Sequence, residues 1–258
     1  MIVDVTDPND RRLDDFRDLQ DADVRPDKRG VVIAEGVNVV ERLARSPYRV
    51  RAVLGVPARL EALVEVLPPD VPAYRADKWL ISDVVGFRVT RGVLAAADRA
   101  PEADPASVLA TARRLAVLES LNDFENLGAL FRNAAAFGVD AVLLDPQTAD
   151  PLYRRSVRVS MGHVLNVPFT RLSGAWPDSL QSIKDAGFTV LAMTPSGSVP
   201  IRAVQVPGRW AVLLGAEGPG LTDAALGAAD IRASIPMASG VDSLNVATAA
   251  AVAFSHLL

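Results

Sequence analysis

The sequence contains no cysteine and only two histidines, His163 and His256. The first absence excludes a disulfide scaffold and any thiolate chemistry. The second leaves too few ligands for a zinc site, and no metal is expected. Long apolar runs are also missing. Each is broken by Gly, Pro or charge before it reaches the roughly 18 residues of a membrane span, so no membrane association is expected. The start, Met1 to Asp7, lacks the basic and apolar regions of an export signal, and a cytoplasmic protein is the natural expectation. Positive charge is in deficit too. Lys and Arg number 27 against 31 Asp and Glu, a formal net charge of −4. Taken whole, that balance argues against binding nucleic acid through bulk charge.

What is present is a chain of 258 residues, half of them apolar. That is enough to build one large domain or two modest ones. The charge is unevenly spread. Residues 1–27 hold nine Asp and four Arg, whereas residues 28–258 hold 23 basic and 22 acidic residues. Residues 42–99 carry ten basic against six acidic residues, and residues 152–176 carry four Arg and no acid. The negative total therefore belongs mostly to the first segment and says little about surfaces elsewhere. Phosphate contacts depend on local charge.

The acidic arm, residues 1–29, reads as a solvated, partly flexible terminus. Leu13, Phe16 and Leu19 suggest a short amphipathic helix within it. From residue 30 strands and helices alternate. Strands are expected at 31–34, 51–54, 71–74 and 92–97, and helices at 35–44, 57–66 and 77–84. This is the rhythm of a small α/β domain, residues 30–98. Residues 99–113, with Pro101 and Pro105, read as a linker running into a helix. The rhythm then restarts over 114–258. Strands are expected at 115–118, 141–144, 189–193, 211–214 and 231–235, and helices at 126–137, 153–161, 175–186 and 244–258.

Three polar loops interrupt the second α/β segment. The first, Glu119-Ser120-Leu121-Asn122-Asp123-Phe124-Glu125-Asn126, runs into a helix that begins near Asn126 and carries Arg132. Arg132 is expected roughly on the Asn126 face. In an otherwise apolar helix it must pair, or reach a phosphate or carboxylate. The second is Leu214-Gly215-Ala216-Glu217-Gly218-Pro219-Gly220-Leu221. No Lys-Ser/Thr pair follows, so it is not a Walker loop. Its glycine spacing is not the dinucleotide fingerprint either, which counts against a Rossmann-type nucleotide enzyme. The third runs from Ile235 through Met237 and Ser243 to Asn245, where a small-residue helix begins. Asp242 or Ser243 is expected to cap that helix, with Asn245 in its first turn. Each loop alone is equally a tight turn or a capped helix.

Together and in this order, Asn-Leu-Gly-Ala-Leu-Phe-Arg, Leu-Gly-Ala-Glu-Gly-Pro-Gly-Leu and Ile-Pro-Met-Ala-Ser-Gly-Val-Asp-Ser-Leu-Asn-Val-Ala resemble the three motifs of the SpoU (TrmH-like) family. These are RNA ribose 2'-O-methyltransferases of the knotted SPOUT class. The resemblance covers about residues 114–258. Residues 30–98 more loosely resemble the small L30e-like substrate-binding domain that precedes the methyltransferase domain in many members. The resemblance implies an α/β fold with a C-terminal trefoil knot, a homodimer, and S-adenosylmethionine as methyl donor. Gly215, Ile235 and Leu244 would line the donor site, with Met193, Thr194 and Met237 nearby. Arg132 would hold the ribose or its phosphate. Asn126, Glu217, Ser243 and Asn245 would complete the catalytic set, with Glu217 orienting Arg132. Many members carry Asn where this chain has Ala216 and a basic residue where it has Pro219.

The implied activity is S-adenosylmethionine-dependent 2'-O-ribose methylation of RNA. Large-subunit, 23S-type rRNA is favoured over tRNA because tRNA-specific members generally lack the N-terminal domain. The alternative is a non-catalytic RNA-binding or ribosome-assembly factor that retains the fold. Arg154, Arg155 and Arg158 are either RNA phosphate contacts or a solvated helix face.

Overall fold

The computed structural model describes residues 2–17, 19, 30–206 and 208–258. The rest of the acidic arm, residues 1, 18 and 20–29, lies outside them. The chain forms two compact units. The first comprises Met1–Pro101 and Asp150–Asn166, the second Glu102–Ala149 and Val167–Leu258.

The first unit is built on a mixed five-stranded sheet of order β1-β4-β3-β5-β2. Its strands are β1 (Ile2–Asp4), β2 (Val31–Glu35), β3 (Val50–Gly55), β4 (Ala73–Arg75) and β5 (Val93–Asp98). Helix α1 (Val37–Ala44) follows β2, α2 (Pro57–Glu61) follows β3, and α3 (Lys78–Val85) lies between β4 and β5. Local signals set the helix ends. Pro57 occupies the first turn of α2, where a missing N–H costs nothing. Asp77 caps α3 by accepting from the N–H groups of Trp79 and Leu80. Gly86 ends it with φ 78°, a left-handed conformation that glycine adopts without a side-chain clash.

The arm is not a solvated terminus in its described part. β1 lies parallel to β4, and the N–H of Val5 donates to the carbonyl of Arg75. A 3-10 helix, Arg11–Phe16, starts at Asp10, whose carboxylate accepts from the N–H of Arg12. Leu13 and Phe16 are fully buried and Leu19 nearly so, in a core with Ile33, Leu54, Ile81 and Leu94. Three large apolar side chains on one face outweigh the charge around them. The acids point outward and pair locally, as Arg17 with Asp14 and Arg75 with Asp4.

Residues Asp150–Asn166 lie in the sequence span expected to form the second domain, yet they pack in the first unit. Side-chain chemistry explains the attachment. The segment includes α6 (Arg154–Val159). Arg154 reaches the buried carboxylate of Glu35 at 3.2 Å and lies over the Phe87 ring at 4.3 Å. Arg99 pairs with Asp150, and Arg42 donates to the carbonyl of Met161.

The second unit carries a seven-stranded, all-parallel sheet of order β10-β12-β9-β11-β6-β7-β8. Its strands are β6 (Arg114–Glu119), β7 (Ala141–Leu144), β8 (Phe169–Arg171), β9 (Phe188–Met193), β10 (Val199–Pro200), β11 (Arg209–Gly215) and β12 (Ile231–Ser234). The central strands are largely apolar between their ends, as in Leu115–Leu118 of β6 and Trp210–Leu214 of β11, which suits a sheet covered on both faces. The helices are α4 (Pro105–Thr111), α5 (Phe124–Ala136), α7 (Leu180–Asp185), α8 (Asp223–Ala228) and α9 (Val246–His256). β11 enters between β6 and β9, two strands laid down earlier in the chain. Helix α9 packs on α5 and on β11, where Phe254 stacks on Trp210 with centroids 6.1 Å apart. Among the described residues, no helix is long and apolar enough to cross a membrane.

Candidate active site

Because all seven strands of the second sheet are parallel, their C-terminal ends share one edge. That is where open α/β sheets hold ligands. β6 ends there at Glu119, β9 at Met193, β11 at Gly215 and β12 at Ser234. The three polar loops leave from β6, β11 and β12.

The glycine loop turns back on itself. The N–H of Gly220 donates to the carbonyl of Ala216 at 3.0 Å. A Cβ on Gly215 would stand 2.4 Å from the carbonyl carbon of Gly220, so a side chain there has no space. Gly218 and Gly220 have φ of 87° and 70°, values that L-residues rarely adopt.

Asn245 joins all three loops. Its Oδ1 accepts from the N–H groups of Ala247 and Thr248, at 3.0 and 3.2 Å, and so caps α9. Its Nδ2 donates to Asn126 Oδ1 and to Glu217 Oε1, both at 2.7 Å. The amide orientation follows from these partners, since two N–H groups face one end and two oxygens the other. Asn126 is buried in the first turn of α5, and Asp123 caps that helix by accepting from the Asn126 N–H at 2.8 Å.

Two local expectations are corrected here. The cap of the last helix is Asn245, not Asp242 or Ser243, because the loop runs two residues further before the helix starts. Arg132 does not share the Asn126 face. Six residues at ~3.6 per turn leave the two roughly 120° apart, and Asn126 is buried while Arg132 is exposed. Among the described residues, no partner for Arg132 is found within hydrogen-bonding or ion-pair distance. Within this chain Glu217 bonds Asn245, not Arg132.

Beside Asn245 lies a cavity of about 650 Å³. Met193, Thr194, Gly215, Ile235, Met237 and Leu244 all line it, as do Glu217, Ser243 and Asn245. Asn126 and Arg132 lie outside its lining. Its walls combine apolar side chains with main chain. Between Ile235 and Leu244 the described main-chain bonding reduces to the Val241 N–H on the Ala238 carbonyl. Met237, Ser243 and Leu244, which line the cavity, make no main-chain bond among those described, so their peptide groups can serve a ligand. A volume of this size suits a small-molecule site (~300–1,000 Å³). Apolar walls with a few fixed polar groups suit a small organic molecule.

Arg154, Arg155 and Arg158 are in the first unit. Arg154 spends its guanidinium on Glu35 and Phe87, and burial lowers its pKa. Arg155 and Arg158 are exposed, with Arg158 3.9 Å from Glu35.

Two site-building residues are not picked out from the sequence. Asn133 Nδ2 donates to the Ala247 carbonyl at 2.7 Å and ties α5 to α9. Glu119 is buried at the end of β6 and accepts from Thr222 and Trp176. A single carboxylate closing the apolar run Leu-Ala-Val-Leu is the signal that marks Glu119.

Residues 113–255 match the SpoU rRNA Methylase family. An uncharacterized tRNA/rRNA methyltransferase of Mycobacterium tuberculosis is 53% identical over 262 residues, covering 98% of this chain and 90% of its own. The 23S rRNA (guanosine(2553)-2'-O)-methyltransferase RlmP of Bacillus subtilis is 29% identical over 89% of each chain. In three dimensions, an AdoMet-bound rRNA methyltransferase from Sinorhizobium meliloti superposes with a TM-score of 0.81 at 24% identity. That match covers 99% of this chain and 97% of the other, and it shows a shared fold. With its three motifs gathered on one amide and its family match spanning more than half of its length, the chain belongs to the SpoU rRNA Methylase family.

Proposed function

We propose that this protein is an S-adenosylmethionine-dependent RNA ribose 2'-O-methyltransferase acting on large-subunit rRNA. The observation that carries the reading is the Asn245 junction. One amide fixes Asn126, Glu217 and the start of α9 at the rim of a cavity that fits a nucleoside-sized donor. The relation to RlmP, named for 2'-O-methylation of 23S rRNA, supports both the reaction and the RNA class.

The donor, when bound, supplies an electrophilic methyl group for direct transfer to the ribose 2'-oxygen. The open main-chain groups between Ile235 and Leu244 suit the edge of its base, and Met193, Ile235 and Leu244 suit the faces. Gly215 lets the main chain approach closely. Glu217, held by Asn245 on the cavity wall, would offer its carboxylate to a positively charged group of the donor. Arg132 is exposed and has no partner among the described residues, so its guanidinium would be available to the RNA phosphate or ribose. It positions the hydroxyl and does not act as a base, since it stays protonated at neutral pH. Ser243 lines the cavity two residues before Asn245. The first unit, read as the L30e-like RNA-binding domain, presents Arg155 and Arg158 to phosphate. The homodimer and the knotted chain path belong to the same reading.

The test incubates the full chain with isotopically labelled donor and separate rRNA and tRNA fractions. Mapping of 2'-O-methyl positions follows. Label in 23S rRNA at ribose is expected. Label at a base, or transfer to tRNA alone, overturns the corresponding part of the reading, and no transfer to any cellular RNA overturns the activity.

A further inference from the structure

Glu119 is a buried carboxylate with no cation within ion-pair distance among the described residues, and the function proposed above assigns it no role. A charge taken out of water is costly unless donors compensate it. Here three donors do. Oε2 accepts from the N–H of Thr222 at 2.9 Å, and Oε1 from the Thr222 hydroxyl at 2.7 Å and the Trp176 indole N–H at 2.5 Å.

The position of Thr222 gives these bonds their meaning. The glycine loop starts at Gly215 and returns at Thr222, and it carries Glu217 and lines the cavity. Gly215 stands beside Glu119 in the β11–β6 register. One residue therefore meets both ends of the loop, through strand pairing at one end and its carboxylate at the other. Thr222 also caps α8, its hydroxyl accepting from the N–H of Ala225 at 3.2 Å. The helix that follows the loop is fixed by the same contact.

Resting on the function proposed above, we propose that Glu119 is a positioning residue for the methyl-donor site. It holds the 215–222 loop closed so that Glu217 and the Gly215 main chain keep their places on the cavity wall. The charge matters as well as the size. A carboxylate offers only acceptors, whereas an amide in either orientation would turn its own N–H groups toward the N–H of Thr222 or Trp176.

The experiment compares the full wild-type chain with Glu119→Gln and Thr222→Val by two readouts. In steady-state methyl transfer, Glu119→Gln raises the KM for S-adenosylmethionine about tenfold, the cost of one unsatisfied buried donor. The KM for RNA stays within about twofold of wild type. A general loss of folded protein would lower the rate without that split. Thr222→Val shifts the donor KM in the same direction. Together the two substitutions cost less than the product of their separate effects, because they break one contact. The second readout needs no donor. In hydrogen exchange of the full chain, the amides of residues 216–218 and 220–222 exchange faster in both variants while β6 and β11 stay protected. A wild-type donor KM with unchanged loop exchange in either variant overturns the role of Glu119. Faster loop exchange in the variants of a protein whose wild type transfers no methyl group upholds the loop contact and overturns the assigned activity instead.

Discussion

Asn245 and Asn126 stand 119 positions apart and share a hydrogen bond of 2.7 Å, amide nitrogen to amide oxygen. The same nitrogen reaches Glu217 at 2.7 Å, so one donor group links the three loops.

Asn245→Asp separates that role from helix capping. The carboxylate still accepts from Ala247 and Thr248, but no donor remains for Asn126 and Glu217. Methyl transfer is expected to fall at least about tenfold, and the melting temperature should drop, because the new carboxylate faces that of Glu217 and leaves the Asn126 oxygen without a donor. Asn245→Ala loses the cap too, and a further cost of about 1 kcal/mol should appear in denaturant unfolding. Equal activity of the Asp variant and wild type would contradict the junction.

Arg132→Ala removes an exposed side chain that has no partner among the described residues. Stability should change by less than about 0.5 kcal/mol. Donor binding by calorimetry should be unaltered, because Arg132 does not line the cavity. Turnover is expected to drop about a hundredfold, as when other preorganised charge contacts are removed.

Gly215→Ala puts a carbon 2.4 Å from the Gly220 carbonyl carbon, so main chain must move. A cost of about 1–3 kcal/mol in unfolding free energy is expected, together with weaker donor binding. A variant with wild-type donor affinity would show that the loop tolerates opening.

Leu13→Ala tests whether the acidic arm is part of the core. Its side chain is fully buried, and the substitution should cost about 2–5 kcal/mol in chemical denaturation. Removing residues 2–19 should destabilise the first unit rather than unmask an RNA surface. A deletion with wild-type unfolding behaviour would show that the arm packs loosely.

The arm should also loosen in acid. The Arg12 guanidinium, followed by the Arg12 main-chain N–H, pulls the Asp10 carboxyl from 3.8 to about 2. A hydrogen bond from Arg75 lowers Asp4 as well. A depressed acid stabilises the fold fully above its unfolded value and loses that effect as pH falls toward its folded one. Amide protection in residues 2–17 should therefore decline as pH drops from 3.8 toward 2. In Asp10→Asn the decline should shrink. Identical profiles would remove Asp10 as its cause.

The alternation of strands and helices was legible because apolar runs of strand length and helix length are separated by Gly, Pro and polar loops. β7 (Ala141–Leu144) falls on its expected residues. Elements without contrast were not legible. α8 is Asp-Ala-Ala-Leu-Gly-Ala, with too little apolar pattern to declare a face. β8 is three residues long and is held by pairing with β7. The expected helix at 175–186 starts only at Leu180, beyond Pro177. At the site, residue types and order were legible. The junction through Asn245 was not, because spacing along a chain does not reveal which side chains meet across 119 residues. The burial of Leu13 and Phe16 was masked by the charge around them, since composition averages over faces that the fold separates.

The return of Asp150–Asn166 to the first unit bears on how such proteins can be divided and recombined. A fragment ending at Pro101 would keep Glu35 in its core but lose Arg154, leaving a buried anion without its counterion. A fragment beginning at Glu102 would carry Arg154 and the rest of α6 with nothing to dock against. The two units are therefore not separable cassettes along the sequence. Exchange of N-terminal regions between relatives should succeed only where the residues at 35 and 154 travel as a matched pair.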